Sequence, residues 1–282
     1  MMKRNVLFVL CVVACLSSFA FAAVAEWNFE SGVSGPPYDG QAFSANPVTD
    51  ISGNGNTMWG WDDYWGPHYS STTLNSSGLG SLHEGHNDGY TNGAPINSWS
   101  PTAWTIEVAV KLDVVSGWNT FLGRDGRTGL DTGGGPDTDE EAAFYFQNNG
   151  VDDKFRINFS TLGGQRYILD SDFAGEAGKW YRLVGVSDGL MLTMYADKRD
   201  GVGFQVVGSL AMDPLNDNSL RATGNWTFGR GYWGWWFVDH ITGNLDDIRF
   251  SDVALTPDLF IPEPATMLLL GLGGLSLIRR KG

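Results

Sequence analysis

The sequence predicts an all-β fold in which two antiparallel sheets pack face to face. Three observations carry this expectation. Short runs alternate apolar and polar residues with a period of two, which sends one set of side chains to each face of a strand. Gly, Asn and Asp punctuate these runs at short intervals, and Gly alone supplies 38 of the 282 residues, a composition that favours turns over long helices. Between the two chain ends no stretch carries the 3.6-residue apolar repeat of an amphipathic helix.

Taken in order, Lys3 and Arg4 precede an apolar run from Val6 to Ala23, and both Ala20-Phe21-Ala22 and Ala23-Val24-Ala25 fit an A-x-A cleavage site. Residues 1–23 therefore read as a secretion signal. A retained anchor is one alternative. Another is a lipoprotein box, Val12-Val13-Ala14-Cys15, with Cys15 lipidated. Both cysteines, Cys11 and Cys15, lie in this run, so the exported part holds no disulfide and relies on its core or a metal.

Trp27-Asn28-Phe29-Glu30 reads as an opening strand and Asp50 to Asn56 as a turn. In Trp104 to Lys111 the alternation is clean, with Trp104, Ile106, Val108 and Val110 on one face. Further strands are expected around Phe144–Phe146 and Phe155–Phe159. Lys179–Ser187 and Leu190–Ala196 flank Asp188-Gly189, which reads as a two-residue hairpin turn. Phe204–Leu210, Trp226–Gly229 and Asn244–Phe250 complete the set, with one helical turn near Pro257. With no repeat or internal linker, residues 24–260 read as one domain and 261–282 as a separate tail.

The order of four segments resembles the concanavalin A-like, laminin-G-type jelly roll. They are the Trp27 strand, the D-x-S-G-N-G-N turn at Asp50, the Trp104 strand, and the closing Gly243-Asn244-Leu245-Asp246-Asp247-Ile248-Arg249-Phe250…Ala254-Leu255-Thr256. The stretch from about Trp59 to Ala94 departs from that pattern. The resemblance implies a two-sheet jelly roll that often holds a structural Ca²⁺.

At the C-terminus Ile261-Pro262-Glu263-Pro264 leads into an apolar run, Ala265 to Ile278, and then Arg279-Arg280-Lys281. The run is short for a stable span, which takes about 20 residues, and its basic end would stay cytoplasmic. Pro262, Glu263 and Pro264, the Leu/Gly-rich segment and the Arg279/Arg280 cluster resemble a PEP-CTERM sorting signal. This implies transient residence in the membrane through a short transmembrane helix and cleavage by an exosortase. Delivery would be to the cell surface, outer membrane or exopolysaccharide matrix of a Gram-negative-type bacterium. An ordinary C-terminal anchor is the alternative.

The formal net charge is −14. Without Glu263 and the five terminal bases Lys3, Arg4, Arg279, Arg280 and Lys281, 31 acids face 13 bases, a net of −18. That field repels nucleic acid and anionic lipid and suits neutral sugars or cations.

Period two places Asp246 on one face with Ile248 and Phe250, where a carboxylate needs a strong partner. A hard cation with Asp50 as second ligand would supply one; backbone N–H groups are the alternative. The acidic loop Asp131…Asp137-Thr138-Asp139-Glu140-Glu141 lacks EF-hand spacing and reads as solvated. Two aromatic clusters, Trp59, Trp61, Tyr64, Trp65, Tyr69 and Tyr232, Trp233, Trp235, Trp236, Phe237, sit in Gly-containing segments. Exposed rings stack on the apolar faces of sugars, with Asp62, Asp63, His68, Arg230 and Asp239 available for hydroxyls; the alternative is that the rings fill the core.

No catalytic pattern appears. Laminarinase-type hydrolases of the same fold carry two Glu on one strand, whereas the central strand here has Glu107 alone. His68, His83, His86 and His240 make no H-E-x-x-H. The expectation is a non-catalytic, glycan-binding surface protein. Alternatives are a structural or adhesive matrix protein and, further off, a glycoside hydrolase or lyase.

Overall fold

A computed structural model describes residues 23–32, 40–60, 66–74, 82–84, 89–127, 142–234 and 236–260. The signal segment with Cys15, the acidic loop at 131–141 and the sorting tail with Pro262, Glu263, Pro264, Arg279 and Arg280 lie outside these residues.

The described strands are β1 (Ala25–Trp27), β2 (Trp59–Gly60), β3 (His68–Tyr69), β4 (Leu82–Glu84), β5 (Gly89–Tyr90), β6 (Trp104–Leu112), β7 (Asn119–Arg127), β8 (Ala142–Asn148) and β9 (Lys154–Ser160). There follow β10 (Arg166–Ala174), β11 (Trp180–Ser187), β12 (Met191–Asp197), β13 (Gln205–Ala211), β14 (Trp226–Phe228), β15 (Gly231–Trp233), β16 (Trp236–Val238) and β17 (Gly243–Ser251). An eight-stranded sheet runs β13-β12-β11-β6-β17-β4-β3, with β1 also paired to β17. A seven-stranded sheet runs β10-β9-β8-β7-β14-β5-β2, and β15 and β16 form a separate hairpin. The expected all-β, two-sheet antiparallel jelly-roll sandwich is what forms.

The core lies between the sheets. Trp104, Ile106, Val108 and Val110 face inward from β6 as the alternation requires, against Phe144, Phe159 and Trp226 of the other sheet. Trp104 meets Phe144 and Phe159 edge-on at 5.9 and 5.5 Å, and Trp226 meets Phe250 at 4.7 Å. Each buried ring contributes about 1.5–3 kcal/mol through area and each such pair about 0.5–1.5 kcal/mol more. Room for Trp104 comes from Gly185: a Cβ there would stand 2.6 Å from Ile157 Cδ1 and 3.3 Å from Trp104 Cζ3. One cation is buried with the rings. Arg124 donates to the carbonyls of Trp99 and Asn97 at 2.7 and 2.5 Å and lies over the Trp226 ring at 5.1 Å. Burial pulls it down to about 10, so it stays charged at neutral pH.

Three local expectations change. Phe29 has φ 56, which ends the opening strand at Trp27. The β11–β12 strands resume at Met191, a residue later than a two-residue turn requires; Asp188 Oδ1 accepts the Leu190 and Met191 N–H groups at 2.8 and 2.7 Å. Within β17 the pairing with β6 slips between Asp246 and Arg249, with Asp247 at φ 43. This bulge breaks the period of two. Leu245, Ile248 and Phe250 face the core, and Asp246, paired with Ala109, falls on the opposite face from Ile248 and Phe250.

After β17 the chain crosses the outer face of the eight-stranded sheet. Leu255 and Phe260 pack there against Val184 and Val186, Phe260 meets Tyr195 and Phe204 at 5.3 and 5.0 Å, and Arg249 Nη2 holds the Leu259 carbonyl at 2.7 Å. The turn expected near Pro257 is a 3₁₀ turn, Pro257–Leu259. Among the described residues no helix is long and apolar enough to cross a membrane. The expected span from Ala265 to Ile278 lies outside them.

Candidate functional site

The seven-stranded sheet turns one cross-strand row outward. Antiparallel register places Ile168 beside Asn158, Asn158 beside Tyr145, Tyr145 beside Gly123 and Gly123 beside Thr227. Beyond Thr227 the row continues through Tyr90 to Trp59. Residues more than a hundred positions apart thus share one face, an adjacency that no local pattern announces.

The β15–β16 hairpin stands on this row because two glycines let it approach. A Cβ on Gly123 would lie 2.6 Å from Thr227 Oγ1 and 2.8 Å from the Arg230 carbonyl. One on Gly231 would lie 2.9 Å from Thr120 Oγ1 and 3.1 Å from Tyr145 Cε1. The seat is then bonded. Tyr145 Oη donates to the Tyr232 carbonyl and accepts the Ala142 N–H at 2.8 Å; burial pushes this hydroxyl far up, so it remains a donor. Thr120 N–H donates to the Asp239 carbonyl at 2.8 Å. Arg230 grips Asp125 bidentately, at 2.6 and 2.8 Å, while its guanidinium lies 3.7 Å from the Phe237 ring centroid.

Between the hairpin and β8–β10 lies a cleft of about 620 Å³. Its floor is Tyr145 and Gln147 from β8, Arg156 and Asn158 from β9, and Arg166 and Ile168 from β10; Trp233, Val238 and Asp239 wall one side and Trp118 another. Trp118 and Trp233 are 40% and 53% exposed, so part of each indole stays accessible. The polar side chains are held. Gln147 Oε1 accepts from Thr120 Oγ1 at 2.9 Å, and Asn158 Oδ1 accepts from Arg166 Nε at 2.7 Å. Arg156 pairs with Asp170 at 2.6 and 2.8 Å and stacks over Trp118 at 5.4 Å. Burial pulls Arg166 down to about 10 and raises Asp239 to about 6. Flat apolar walls with fixed donors and acceptors between them suit a ligand that is both ring-faced and hydroxylated.

Of the aromatic residues singled out from sequence, Trp233 lines the cleft, while Tyr232 and Trp236 belong to its hairpin. Trp59 sits at the far end of the same row, 41% exposed. Tyr69 is fully buried and packs on Phe43 at 4.7 Å, a core role. Trp61, Tyr64, Trp65, Asp62, Asp63, His86 and Trp235 lie outside the described residues. Arg230 and Asp239 serve the hairpin seat and the cleft wall. Sequence reasoning missed Trp118, Tyr145, Gln147, Arg156, Asn158 and Arg166. Period-two polar positions between Phe144, Phe146, Phe155, Ile157 and Phe159 were the available signal.

The two carboxylates expected at a cation stand apart in their bonding. Asp50 Oδ1 accepts the N–H groups of Glu26 and Ser52 at 3.0 and 2.9 Å. Its Oδ2 accepts Asn56 N–H and Nδ2 at 2.9 and 3.0 Å. Burial pushes Asp50 up, but these bonds and one from the Ser52 side chain outweigh it and hold it below the ordinary range. Asp246 accepts the Leu74 and Asp247 N–H groups, both at 3.0 Å; burial, then the neighbouring Asp247, raises it well above the ordinary range. Four N–H donors thus point at the Asp50 oxygens. Among the described residues no group of three or more His, Cys, Asp or Glu converges to hold a metal.

Comparison with known proteins agrees with the fold. The family model of the concanavalin A-like lectin/glucanases superfamily, of laminin-G type, matches residues 84–259. The PEP-CTERM protein-sorting motif matches residues 260–281, which marks export and surface sorting in Gram-negative-type bacteria. No curated protein matches the chain. Among solved structures, domain 4 of AbnA, a GH43 extracellular arabinanase from Geobacillus stearothermophilus, in complex with arabinotriose, is 16% identical with a TM-score of 0.55. The match covers 85% of this chain and 97% of that one. The botulinum neurotoxin serotype G binding domain is 10% identical with a TM-score of 0.52, over 84% of this chain and 49% of that one. A Ruminococcus gnavus IT-sialidase CBM40 bound to α2,3 sialyllactose is 13% identical with a TM-score of 0.44, over 58% and 81%. For the first two, at these identities, the likeness is one of fold alone.

Proposed function

The chain belongs to the concanavalin A-like lectin/glucanases superfamily, and from that premise we propose that it is a surface-displayed, non-catalytic glycan-binding protein. The carrying observation is the cleft itself, where the partly exposed indoles of Trp118 and Trp233 flank fixed polar groups. The AbnA domain of similar fold, in complex with arabinotriose, supports a saccharide ligand. Glycoside hydrolysis needs two carboxyl groups flanking one bond. Among the described lining residues Asp239 is the single carboxylic acid, which favours binding over hydrolysis.

The two faces of the sandwich divide the labour. The cleft opens on the outer face of the seven-stranded sheet, whereas the chain leaves from the outer face of the other sheet at Phe260, next to the sorting motif. A protein tethered by its C-terminal end would hold its cleft away from the cell, ready for a polysaccharide matrix. At the other end the Val24 N–H bonds the Phe250 carbonyl and β1 starts at Ala25. Signal cleavage after Ala22 keeps β1 whole; cleavage after Ala25 would cut it.

Binding of the purified protein to a polysaccharide array tests the reading. Retention on at least one polymer, weakened tenfold or more by Trp233→Ala at an unchanged melting temperature, is expected. A second reading, adhesion to another protein, draws on the hairpin tip, where Trp236 and Phe237 are 75% and 53% exposed. Silence on every polysaccharide with capture of a surface protein through Trp236 would favour it. Release of reducing ends would instead make the protein an enzyme.

A further inference from the structure

The β15–β16 hairpin is a blade with two unlike faces. Its strands pair Gly231 with Val238, Tyr232 with Phe237 and Trp233 with Trp236, and Gly234 turns the tip at φ 56. Directly opposed residues of an antiparallel pair point to the same side, and neighbours along a strand to opposite sides. Tyr232 and Phe237 therefore share one face. Their rings meet at 6.4 Å, and the Arg230 guanidinium lies 3.7 Å from the Phe237 centroid. Gly231, Trp233, Trp236 and Val238 share the other face. Trp233 and Val238 both line the cleft, so this second face is the cleft wall, and Trp236 belongs to it.

Trp236 carries that wall past the rim. On the same face it is flanked by two cleft-lining residues, Trp233 directly across the pair and Val238 two positions along. It is 75% exposed, against 53% for Trp233, and among the described residues neither indole stacks on another ring. The step from Trp233 to Trp236 is about 4.5–5.5 Å between Cβ atoms, comparable to the length of one sugar residue in an extended chain. A ligand confined to the cleft leaves the Trp236 indole in water, whereas a chain long enough to emerge over the rim meets it next. We propose that Trp236 is a distal sugar platform, so that the site recognises an extended stretch of a linear polysaccharide rather than one or two sugars. Trp118 and Trp233 take the residues inside the cleft, and Trp236 takes the one that leaves it. Contacts made by one continuous chain reinforce each other, because the second is intramolecular once the first has formed. This rests on the glycan-binding reading and adds chain length to it.

Calorimetric titration tests the inference, using size-fractionated fragments, disaccharide to octasaccharide, of whichever linear polymers the protein retains among arabinan, xylan, glucan and galactan. Affinity is expected to climb by about tenfold or more from the shortest fragment that binds to the octasaccharide. Trp236→Ala is expected to remove at least about fivefold of that gain, with the affinity for the shortest fragment and the melting temperature unchanged. Trp233→Ala should weaken binding at every length. Phe237→Leu, on the opposite face of the blade, should leave the gain in place. Should affinity be flat with length, Trp236→Ala keep the full gain, or Phe237→Leu abolish it as well, the inference fails while glycan binding through Trp233 stands. If no polysaccharide binds, both fall together, and capture of a surface protein that is lost on Trp236→Ala would assign the hairpin tip to adhesion.

Discussion

Arg230 is where the cleft wall is fastened, and its removal has a calculable consequence. The side chains of Arg230 and Asp125 are 4% and 17% exposed, and two bonds of 2.6 and 2.8 Å join them. Arg230→Ala would leave the Asp125 carboxylate largely buried without its cation, a loss of about 3–5 kcal/mol for pairs broken on one side. Loss of the guanidinium over Phe237 adds about 0.5–2 kcal/mol. For a domain of this size each kcal/mol moves the midpoint by about 2–4 °C, so melting should fall by roughly 7–28 °C. Denaturant unfolding of Arg230→Ala, Asp125→Ala and the double variant forms a cycle. The double variant should be more stable than the sum of the single losses implies, by about 2 kcal/mol, because it leaves no stranded charge. Arg230→Lys should recover part of the loss. If Arg230→Ala costs under about 0.5 kcal/mol, or if the two losses simply add, the hairpin is not held by this pair.

Other outcomes follow from the same geometry. Asp239, raised from 3.8 to about 6, is neutral by preference in the folded state. Its contribution is therefore fully present below about pH 3.8 and lost as pH rises to about 6. At 1.36 kcal/mol per pH unit the raise amounts to about 3 kcal/mol, and partial exposure reduces this to about 1–2 kcal/mol. Asp239→Asn, which suits the φ of 58 there, should gain that amount at pH 7.5 and flatten the pH 4–6 region of the stability profile. Asp50 behaves oppositely: its lowered carboxyl gives stability that is present above pH 3.8 and lost as pH falls. Asp50→Ala should cost about 3 kcal/mol by stranding the N–H groups of Glu26 and Asn56. With four N–H groups on the Asp50 oxygens, EDTA should leave the melting temperature of the wild type unchanged; a drop of several degrees would show a bound cation.

Legibility in the sequence tracked how local each feature is. The Trp104 strand, β8, β9, β11 and β12 announce themselves because both of their faces obey a period of two. β7 stayed hidden since its register slips near Phe121 and its inward-facing Arg124 reads as a surface residue. β10, RYILDSDFA, looks like a polar loop until Tyr167 and Leu169 are seen facing the core. For Asp246 the reading failed on a single left-handed residue, Asp247, whose bulge moves every side chain before it to the other face. The hairpin aromatics were legible as a cluster in a Gly-containing segment. Their place over β7 and β8 was not, because it depends on the space left by Gly123, 108 positions before Gly231. Trp118, Arg156 and Arg166 carry no signature alone; only cross-strand register collects them.

Amide hydrogen exchange of the purified protein, with and without a polysaccharide it retains, interrogates the location of the site most directly. Protection should rise in β8, β9, β10 and the β15–β16 hairpin, with Trp233→Ala abolishing the change. Protection confined to the outer face of the eight-stranded sheet, in β12, β13 and the segment ending at Phe260, would contradict the account.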